Sequence, residues 1–155
     1  MSTATLGKKI PAFKLPATSD KVLRPADFKG RKLVLFFYPK DDTPGCTTEG
    51  QGFRDHYQAF QDAGAEIVGV SRDSIASHEK FKAKYEFPFE LIADTEQELC
   101  TMFNVMREKN MYGRKVMGVE RSTFLIDEKG VLREEWRKVK VPGHVETVLD
   151  AVKAL

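Results

Sequence analysis

Residues 38–46, YPKDDTPGC, contain the side chains whose types and spacing best suit covalent chemistry. Thr43 followed by Pro44 is typical of a helix start, since threonine caps helices and proline fits the first helical position. Cys46 would then lie in the first helical turn, beside amide N–H groups that no helix carbonyl can satisfy. These amides and the helix dipole favour the thiolate, which is the nucleophilic form of cysteine. The pattern predicts a reactive and accessible Cys46; the alternative is a small buried residue without chemistry, as many free cysteines are.

Other kinds of site receive little support from the sequence. His56, His78 and His144 show no metal-ligand spacing, and the two cysteines are too far apart to form a zinc motif. Asp41 and Asp42 could hold a divalent cation, but they are better explained as carboxylates of a surface loop. Neither GxGxxG nor GxxxxGKS/T occurs, so nucleotide binding is not indicated. The sequence therefore predicts neither a metal ion nor a bound cofactor.

Alternating strands and helices must position Cys46. Apolar runs predict strands at residues 32–38, 65–70, 89–93, 122–127 and 130–136. Helical spacing and capping residues predict helices at residues 43–63, 74–85, 94–105 and from 142 onward. Residues 7–28 indicate a β-hairpin with loops, and residues 106–120 a polar loop. This order predicts an α/β fold with a mixed central sheet and helices on both faces. Cys46 then follows the carboxyl end of a strand, where catalytic residues of such sheets gather.

Composition narrows the class of protein. The chain has 155 residues, 41% of them hydrophobic, with 25 basic and 23 acidic side chains interspersed and a net charge of +2, which does not indicate nucleic-acid binding. The longest apolar run, residues 33–38, is far shorter than the ~20 residues that span a bilayer, and no apolar leader opens the sequence. Two cysteines do not make a disulfide scaffold. We predict a single domain over residues 1–155 in a reducing cytoplasm, without a membrane partner.

Two motifs resemble those of a known family. Pro39, Thr43 and Cys46 fit the P-x-x-x-T/S-x-x-C pattern of peroxiredoxins, and FFYPKDDTPGCTTEGQGFRD is similar to their bacterioferritin comigratory protein (PrxQ) branch. Arg121, in ERSTFLID, matches the second family signature, an arginine just before a late strand. Glu49 occupies a family position that helps to orient this arginine. The resemblance extends from residue 7 through the last predicted helix.

The resemblance implies a thioredoxin-like fold and a thiol-dependent peroxidase without a cofactor. Cys46 would attack hydrogen peroxide or an organic hydroperoxide and become a sulfenic acid. Arg121 would hold the thiolate and polarise the peroxide, supported by backbone N–H groups of residues 45 and 46. Thr43 would bond the peroxide through its hydroxyl, a role that can coexist with helix capping. Pro39 would shield the intermediate from water.

The sequence departs from the branch at its resolving cysteine. Gln51 stands where that cysteine often lies, five residues after Cys46, and residues 47–99 contain no other. Cys100 is predicted to pack on a helix rather than to resolve a disulfide. We therefore expect a one-cysteine mechanism with an external reductant, thioredoxin or glutaredoxin with glutathione. A monomer is expected, with a dimer as the alternative.

Two other functions fit the same scaffold. A redox-sensing or chaperone-like protein would use oxidation of Cys46 as a signal rather than to remove peroxide. A thiol-disulfide oxidoreductase needs a C-x-x-C pair, whereas residues 46–49 are CTTE. Turnover of many peroxide equivalents separates an enzyme from a sensor.

Overall fold

The computed structural model describes residues 2–155, apart from the side chain of Met111. Of the single domain predicted over residues 1–155, only Met1 lies outside the described residues. Over these residues the strands are β1 (Leu15–Ala17), β2 (Lys21–Leu23), β3 (Lys32–Phe37), β4 (Ala65–Ser71), β5 (Glu90–Ala93), β6 (Met106–Met111), β7 (Arg114–Val119), β8 (Ser122–Ile126) and β9 (Leu132–Trp136). The helices are α1 (Pro44–Asp55), α2 (Tyr57–Asp62), α3 (Ile75–Tyr85), α4 (Glu98–Met102) and α5 (His144–Ala154). None of these helices combines the length and apolar character needed to cross a bilayer.

A mixed sheet in the order β2-β1-β5-β4-β3-β8-β9 forms the centre of the molecule. β3 lies between the parallel β4 and the antiparallel β8, and all of its side chains are buried. Successive side chains of a strand point to opposite faces, so Leu33, Leu35 and Phe37 enter one apolar cluster and Val34 and Phe36 the other. Burial on both faces is the reason that this strand is apolar throughout.

Helices cover the two faces of the sheet unequally. Phe53 of α1, Phe60 of α2, Phe81 of α3 and Val148 of α5 lie in the same apolar cluster. Leu99 of α4 lies in the cluster on the opposite face. The predicted α/β fold with a mixed sheet and helices on both faces is therefore confirmed. The N-terminal hairpin of β1 and β2 and the late hairpin of β8 and β9 were also predicted correctly.

The helix predicted over residues 43–63 is divided in two. His56 ends α1 and precedes α2 with φ −99° and ψ 5°, outside the α-helical region. Its ring Nδ1 lies 2.9 Å from the Gly52 carbonyl oxygen, which its own backbone N–H also contacts at 3.1 Å. The break lets α2 turn its apolar side toward the sheet. The prediction of one continuous helix was wrong here because hydrophobic spacing alone does not register such a turn.

The helix predicted over residues 94–105 shrinks to the five residues of α4. Asp94 does act as a cap, but from a distance: its carboxylate accepts from the N–H groups of Leu99 at 3.0 Å and Cys100 at 2.7 Å. Gln97, at φ 59°, takes the intervening left-handed turn. The Asp94 side chain thus accepts the hydrogen bonds of two backbone N–H groups that the prediction paired with helical carbonyl oxygens.

The polar loop predicted over residues 106–120 is a β-hairpin. β6 and β7 pair antiparallel, with Met106 opposite Val119, and form a small second sheet. Tyr112 and Gly113 join them, both with positive φ (53° and 79°), the conformation of a two-residue hairpin turn. A tyrosine at the first turn position is unusual, which is why the turn signal was missed.

Candidate active site

The start of α1 has the predicted register. Thr43 is the N-cap, with extended φ −92° and ψ 156°, and Pro44 is the first helical residue. Cys46 therefore lies in the first turn, near amides that lack helical carbonyl partners. The Thr43 hydroxyl donates to the Lys40 carbonyl oxygen at 2.8 Å, and among the described side chains none caps α1. The amides of the first turn thus remain available to an anion.

The sheet register brings Arg121 to Cys46. Ser122 is paired with Phe37 at the end of β3, so Arg121 lies beside the carboxyl end of that strand. α1 begins just beyond the same strand end. The Arg121 Nη2 donates to Cys46 Sγ at 3.4 Å, although 75 residues separate the two positions. The predicted meeting of this arginine and this sulfur is therefore present in the structure.

Glu49 completes the cluster one helical turn after Cys46. Its Oε1 accepts from Arg121 Nη1 at 2.7 Å, while its Oε2 is buried and has no hydrogen-bond partner among the described residues. Arg121 thus uses one nitrogen for the carboxylate and the other for the sulfur. A planar guanidinium makes this two-pronged contact with two separate nitrogens, whereas a lysine ammonium would have to reach both acceptors from a single nitrogen.

Burial sets the electrostatics of this cluster. Desolvation raises the pKa of Glu49 to about 7, against the opposing pull of Arg121. For Arg121, burial alone would lower the pKa, but Glu49 and Cys46 raise it above its usual value, so the guanidinium stays charged. Burial and then the Arg121 charge lower the pKa of His144 to about 4. The cluster therefore has a permanent cation beside the sulfur.

The expected accessibility of Cys46 was wrong. The residue is 2% exposed and lies in an apolar cluster with Tyr38 and Phe53. The polar residues that suggested exposure occupy the other sides of the first turn, while Cys46 faces the sheet. Arg121 nevertheless reaches the sulfur and has 16% of its own side chain exposed. The guanidinium thus lies at the edge of a mostly closed site.

Pro39 and Thr43 lie on the loop that joins β3 to α1, and both are half-buried. Thr43 is one helical turn before Cys46, whereas Pro39 directly follows Tyr38 at the end of the sheet. The structure therefore places all five predicted residues at one end of the sheet. Direct contacts join Cys46, Glu49 and Arg121; Pro39 and Thr43 belong to the loop that leads to them.

From the sequence, Gly45 was assigned a role only through its backbone N–H group, and its lack of a side chain was not considered. A Cβ built on this residue would lie 3.0 Å from Arg121 Nη2, closer than the guanidinium can tolerate without moving. A glycine in a first helical turn is costly for helix formation, and that cost is the sequence signal that could have marked it. Its function is to let the guanidinium approach the helix.

Cys100 packs in a different part of the core from Cys46. It is buried on α4 in the apolar cluster opposite the one that holds Cys46. Burial, and next the charge of Asp94, raise the pKa of its thiol. The sheet therefore separates the two sulfurs, and the Cys100 thiol is held in its unreactive form.

A thiol and an arginine held together at a helix start on a mixed sheet define a cysteine-based redox enzyme. The chain matches the AhpC/TSA family over residues 6–135 and belongs to that family. It is 47% identical to peroxiredoxin Bcp of Bacillus subtilis over 151 residues, 97% of this chain and 96% of that protein. It is 55% identical to peroxiredoxin Bcp of Xanthomonas campestris over 125 residues, 81% and 78% of the two chains.

Solved structures agree with these relatives. A mutant of Xylella fastidiosa PrxQ superposes with a TM-score of 0.93 at 42% identity, covering 99% of this chain and 98% of that one. Xanthomonas campestris bacterioferritin comigratory protein, in a structure concerned with its alkyl peroxide reduction activity, gives 0.88 at 48% identity, covering 92% and 90%. The thioredoxin-like fold, the Bcp/peroxiredoxin Q resemblance and the class of thiol-dependent peroxidase predicted from the sequence are thereby confirmed. Peroxide substrates and thiol reductants follow from that class.

Proposed function

We propose that Cys46 reduces hydrogen peroxide and organic hydroperoxides in a one-cysteine cycle with an external thiol as reductant. The observation that carries this proposal is the 3.4 Å contact between Arg121 Nη2 and Cys46 Sγ. A cation at this distance stabilises a thiolate and leaves its remaining N–H directions for a peroxide oxygen. The bacterioferritin comigratory protein of Xanthomonas campestris, with its alkyl peroxide reduction activity, supports organic hydroperoxides as substrates.

The first step transfers one oxygen atom. The Cys46 thiolate attacks the distal peroxide oxygen, an S–O bond forms and the O–O bond breaks. The electron pair of the O–O bond leaves with the proximal oxygen, which takes up a proton to give an alcohol or water. Arg121 and the amides of residues 45 and 46 stabilise the charge on the departing oxygen. The cysteine is left as a sulfenic acid.

Thr43, Pro39 and Glu49 have supporting roles in this scheme. The Thr43 hydroxyl donates to the Lys40 carbonyl oxygen, and it would have to turn from this bond to donate to a peroxide. Pro39 is half-buried on the loop between β3 and α1, a position that fits shielding of the intermediate. Glu49 orients Arg121 through the 2.7 Å ion pair. Each role is a proposal that rests on position next to the sulfur.

Reduction of the sulfenic acid needs two thiols from outside the chain. The first forms a mixed disulfide with Cys46 and releases water; the second restores the Cys46 thiol and leaves as the disulfide of the reductant. Support for an external thiol comes from Cys100, which is buried on the opposite face of the sheet. A disulfide requires Cα atoms within ~7 Å, which such a placement prevents without refolding of one segment.

The finer features of the setting are also proposals. Thioredoxin, or glutaredoxin with glutathione, is the proposed reductant, because both carry low-pKa thiols that attack mixed disulfides. The cytoplasm is the proposed location, because Cys46 must return to a free thiol after each turnover. A monomer is proposed, with a dimer as the alternative. One domain over residues 1–155 is supported by a central sheet whose strands come from residues 15 to 136.

Turnover and mass spectrometry test this function together. With dithiothreitol, the wild type should consume many equivalents of peroxide, and Cys46→Ser should consume none above the uncatalysed rate. After one equivalent of peroxide without reductant, the wild type should carry a sulfenic acid that dimedone labels at Cys46. Wild-type turnover by Cys46→Ser would refute the enzyme assignment to this cysteine. A Cys46–Cys100 disulfide would refute the one-cysteine cycle alone.

A further inference from the structure

Asp41, two residues before the N-cap of α1, is buried rather than on the surface as its sequence suggested. Only 8% of it is exposed. Its Oδ1 accepts from the Tyr38 hydroxyl at 2.6 Å. Its Oδ2 accepts from the Ser77 hydroxyl at 2.8 Å and contacts His78 Nδ1 at 2.7 Å. Three side chains thus converge on one carboxylate, and two of them belong to α3.

The same loop has further attachments. The Asp41 N–H donates to Asp73 Oδ2 at 2.9 Å, which ties the loop backbone to the segment after β4. Asp42, in a left-handed conformation at φ 57°, contacts Lys84 and Tyr85 of α3, each at 2.7 Å. The Asp42 contacts are exposed and contribute little. The buried contacts of Asp41 therefore carry most of the restraint on residues 39–43.

His78 is fully buried, and both of its ring nitrogens contact oxygen atoms. Nε2 lies 2.9 Å from the Ile92 carbonyl oxygen, which can only accept a hydrogen bond, so Nε2 must donate. Nδ1 lies 2.7 Å from Asp41 Oδ2, and a proton must lie between these two atoms as well. The pair therefore holds one proton more than a neutral imidazole beside a carboxylate.

A metal ion is a poorer explanation of the same cluster. Asp41, Asp73 and His78 offer ligand atoms within 4.8 Å of one another. The 2.7 Å between His78 Nδ1 and Asp41 Oδ2 is the length of a direct hydrogen bond. Asp73 Oδ2 already accepts from the Asp41 N–H at 2.9 Å and from the Ser71 hydroxyl at 2.6 Å. The donors present fit a closed hydrogen-bond network.

We propose that Asp41 and His78 are positioning residues for Cys46, and this proposal rests on the function proposed above. Their shared proton fastens residues 39–43 to α3. The fastened loop sets the Thr43 N-cap and thereby the first turn of α1, which holds the sulfur 3.4 Å from Arg121 Nη2. Release of the loop would remove no active-site residue. It would make the distance between Cys46 Sγ and Arg121 Nη2, on which the peroxide reaction depends, more variable.

The first experiment compares Asp41→Asn with Asp41→Ala. An asparagine can accept from Tyr38 and donate to a neutral His78 Nδ1, so it preserves the network without the extra proton. Asp41→Ala removes all of the hydrogen bonds that the carboxylate makes. We expect the rate constant for Cys46 oxidation by hydrogen peroxide to fall at least about 10-fold in Asp41→Ala and to stay within about 3-fold of wild type in Asp41→Asn. A wild-type rate in Asp41→Ala, or equal losses in both variants, would overturn the proposal.

A matched control separates positioning from lost stability. Thr18 is fully buried, and its hydroxyl bonds Glu90 and the Leu91 N–H, away from Cys46. Thr18→Val should destabilise the fold and leave the oxidation rate unchanged. Should Asp41→Ala fail to fold, Ser77→Ala removes one bond to the same carboxylate and should slow oxidation about fivefold. Oxidation of Ser77→Ala at the wild-type rate would then refute the role.

Two readouts keep this proposal distinct from the proposed function. Proton NMR of the wild type should show the hydrogen-bonded proton between His78 Nδ1 and Asp41, and Asp41→Ala should lack it; its absence from the wild type contradicts the shared proton. Alkylation of Cys46 by iodoacetamide should slow in Asp41→Ala and recover in Asp41→Asn. This recovery tests positioning even if the wild type does not turn over peroxide, whereas equal alkylation of all three proteins refutes it.

Discussion

Replacement of Arg121 by methionine should abolish most activity and also destabilise the fold, for two separable reasons. The activity loss follows from the lost donor at 3.4 Å from Cys46 Sγ, and removal of one such donor costs about 100- to 1000-fold in rate. The stability loss follows from Glu49, which is fully buried and would lose its only ion-pair partner among the described residues. Breaking a buried pair from one side costs about 3–5 kcal/mol, less whatever protonation of Glu49 recovers.

The double variant Arg121→Met with Glu49→Gln distinguishes the two losses. It removes both charges, so we expect urea unfolding to show most of the stability restored. Peroxide turnover with dithiothreitol should remain as low as in Arg121→Met, because the double variant still lacks the guanidinium. Arg121→Lys keeps the charge but has only one nitrogen with which to reach both the sulfur and the carboxylate, so its rate should be intermediate. Recovery of turnover together with stability in the double variant would refute a direct role of Arg121.

Further variants test the neighbouring residues. Because burial raises the pKa of Glu49 to about 7 from 4.5, the folded state favours its protonated form. The contribution of Glu49 to the free energy of unfolding should be greatest below pH 4.5, fall by at most about 3 kcal/mol up to pH 7 and then level off. Glu49→Gln should remove that slope in urea unfolding against pH; an unchanged slope would assign it to other groups. Gly45→Ala should slow peroxide reduction about 10-fold, since its Cβ would displace the guanidinium, and wild-type kinetics would show that the close approach is unimportant. Cys100→Ser should keep full turnover with dithiothreitol, and a loss to the level of Cys46→Ser would require a resolving role for Cys100.

Much of this site could be predicted because its signals are local. Thr43 and Pro44 mark a helix start by their own conformational preferences, so the first-turn position of Cys46 needed no tertiary information. The continuous apolar run of β3 likewise indicates burial on both faces. Arg121 is different: nothing in the spacing of residues shows that it meets Cys46, and only the family resemblance suggested this. The β6–β7 hairpin was missed because the first residue of its turn, Tyr112, is not one of the usual turn residues, although Gly113 is.

Local preferences in the sequence determined the helix start, the central strand and the identity of the nucleophile. Tertiary structure alone decided how Cys46 is enclosed and what lies around it, because those features depend on which strands become neighbours. The antiparallel pairing of β3 with β8 brings Arg121 to the sulfur, and the packing of α3 against the loop buries Asp41 beside His78. Contacts between residues distant in the chain form only when the whole sheet is assembled. The physical reason is that burial and charge pairing are properties of the assembled core rather than of any single segment.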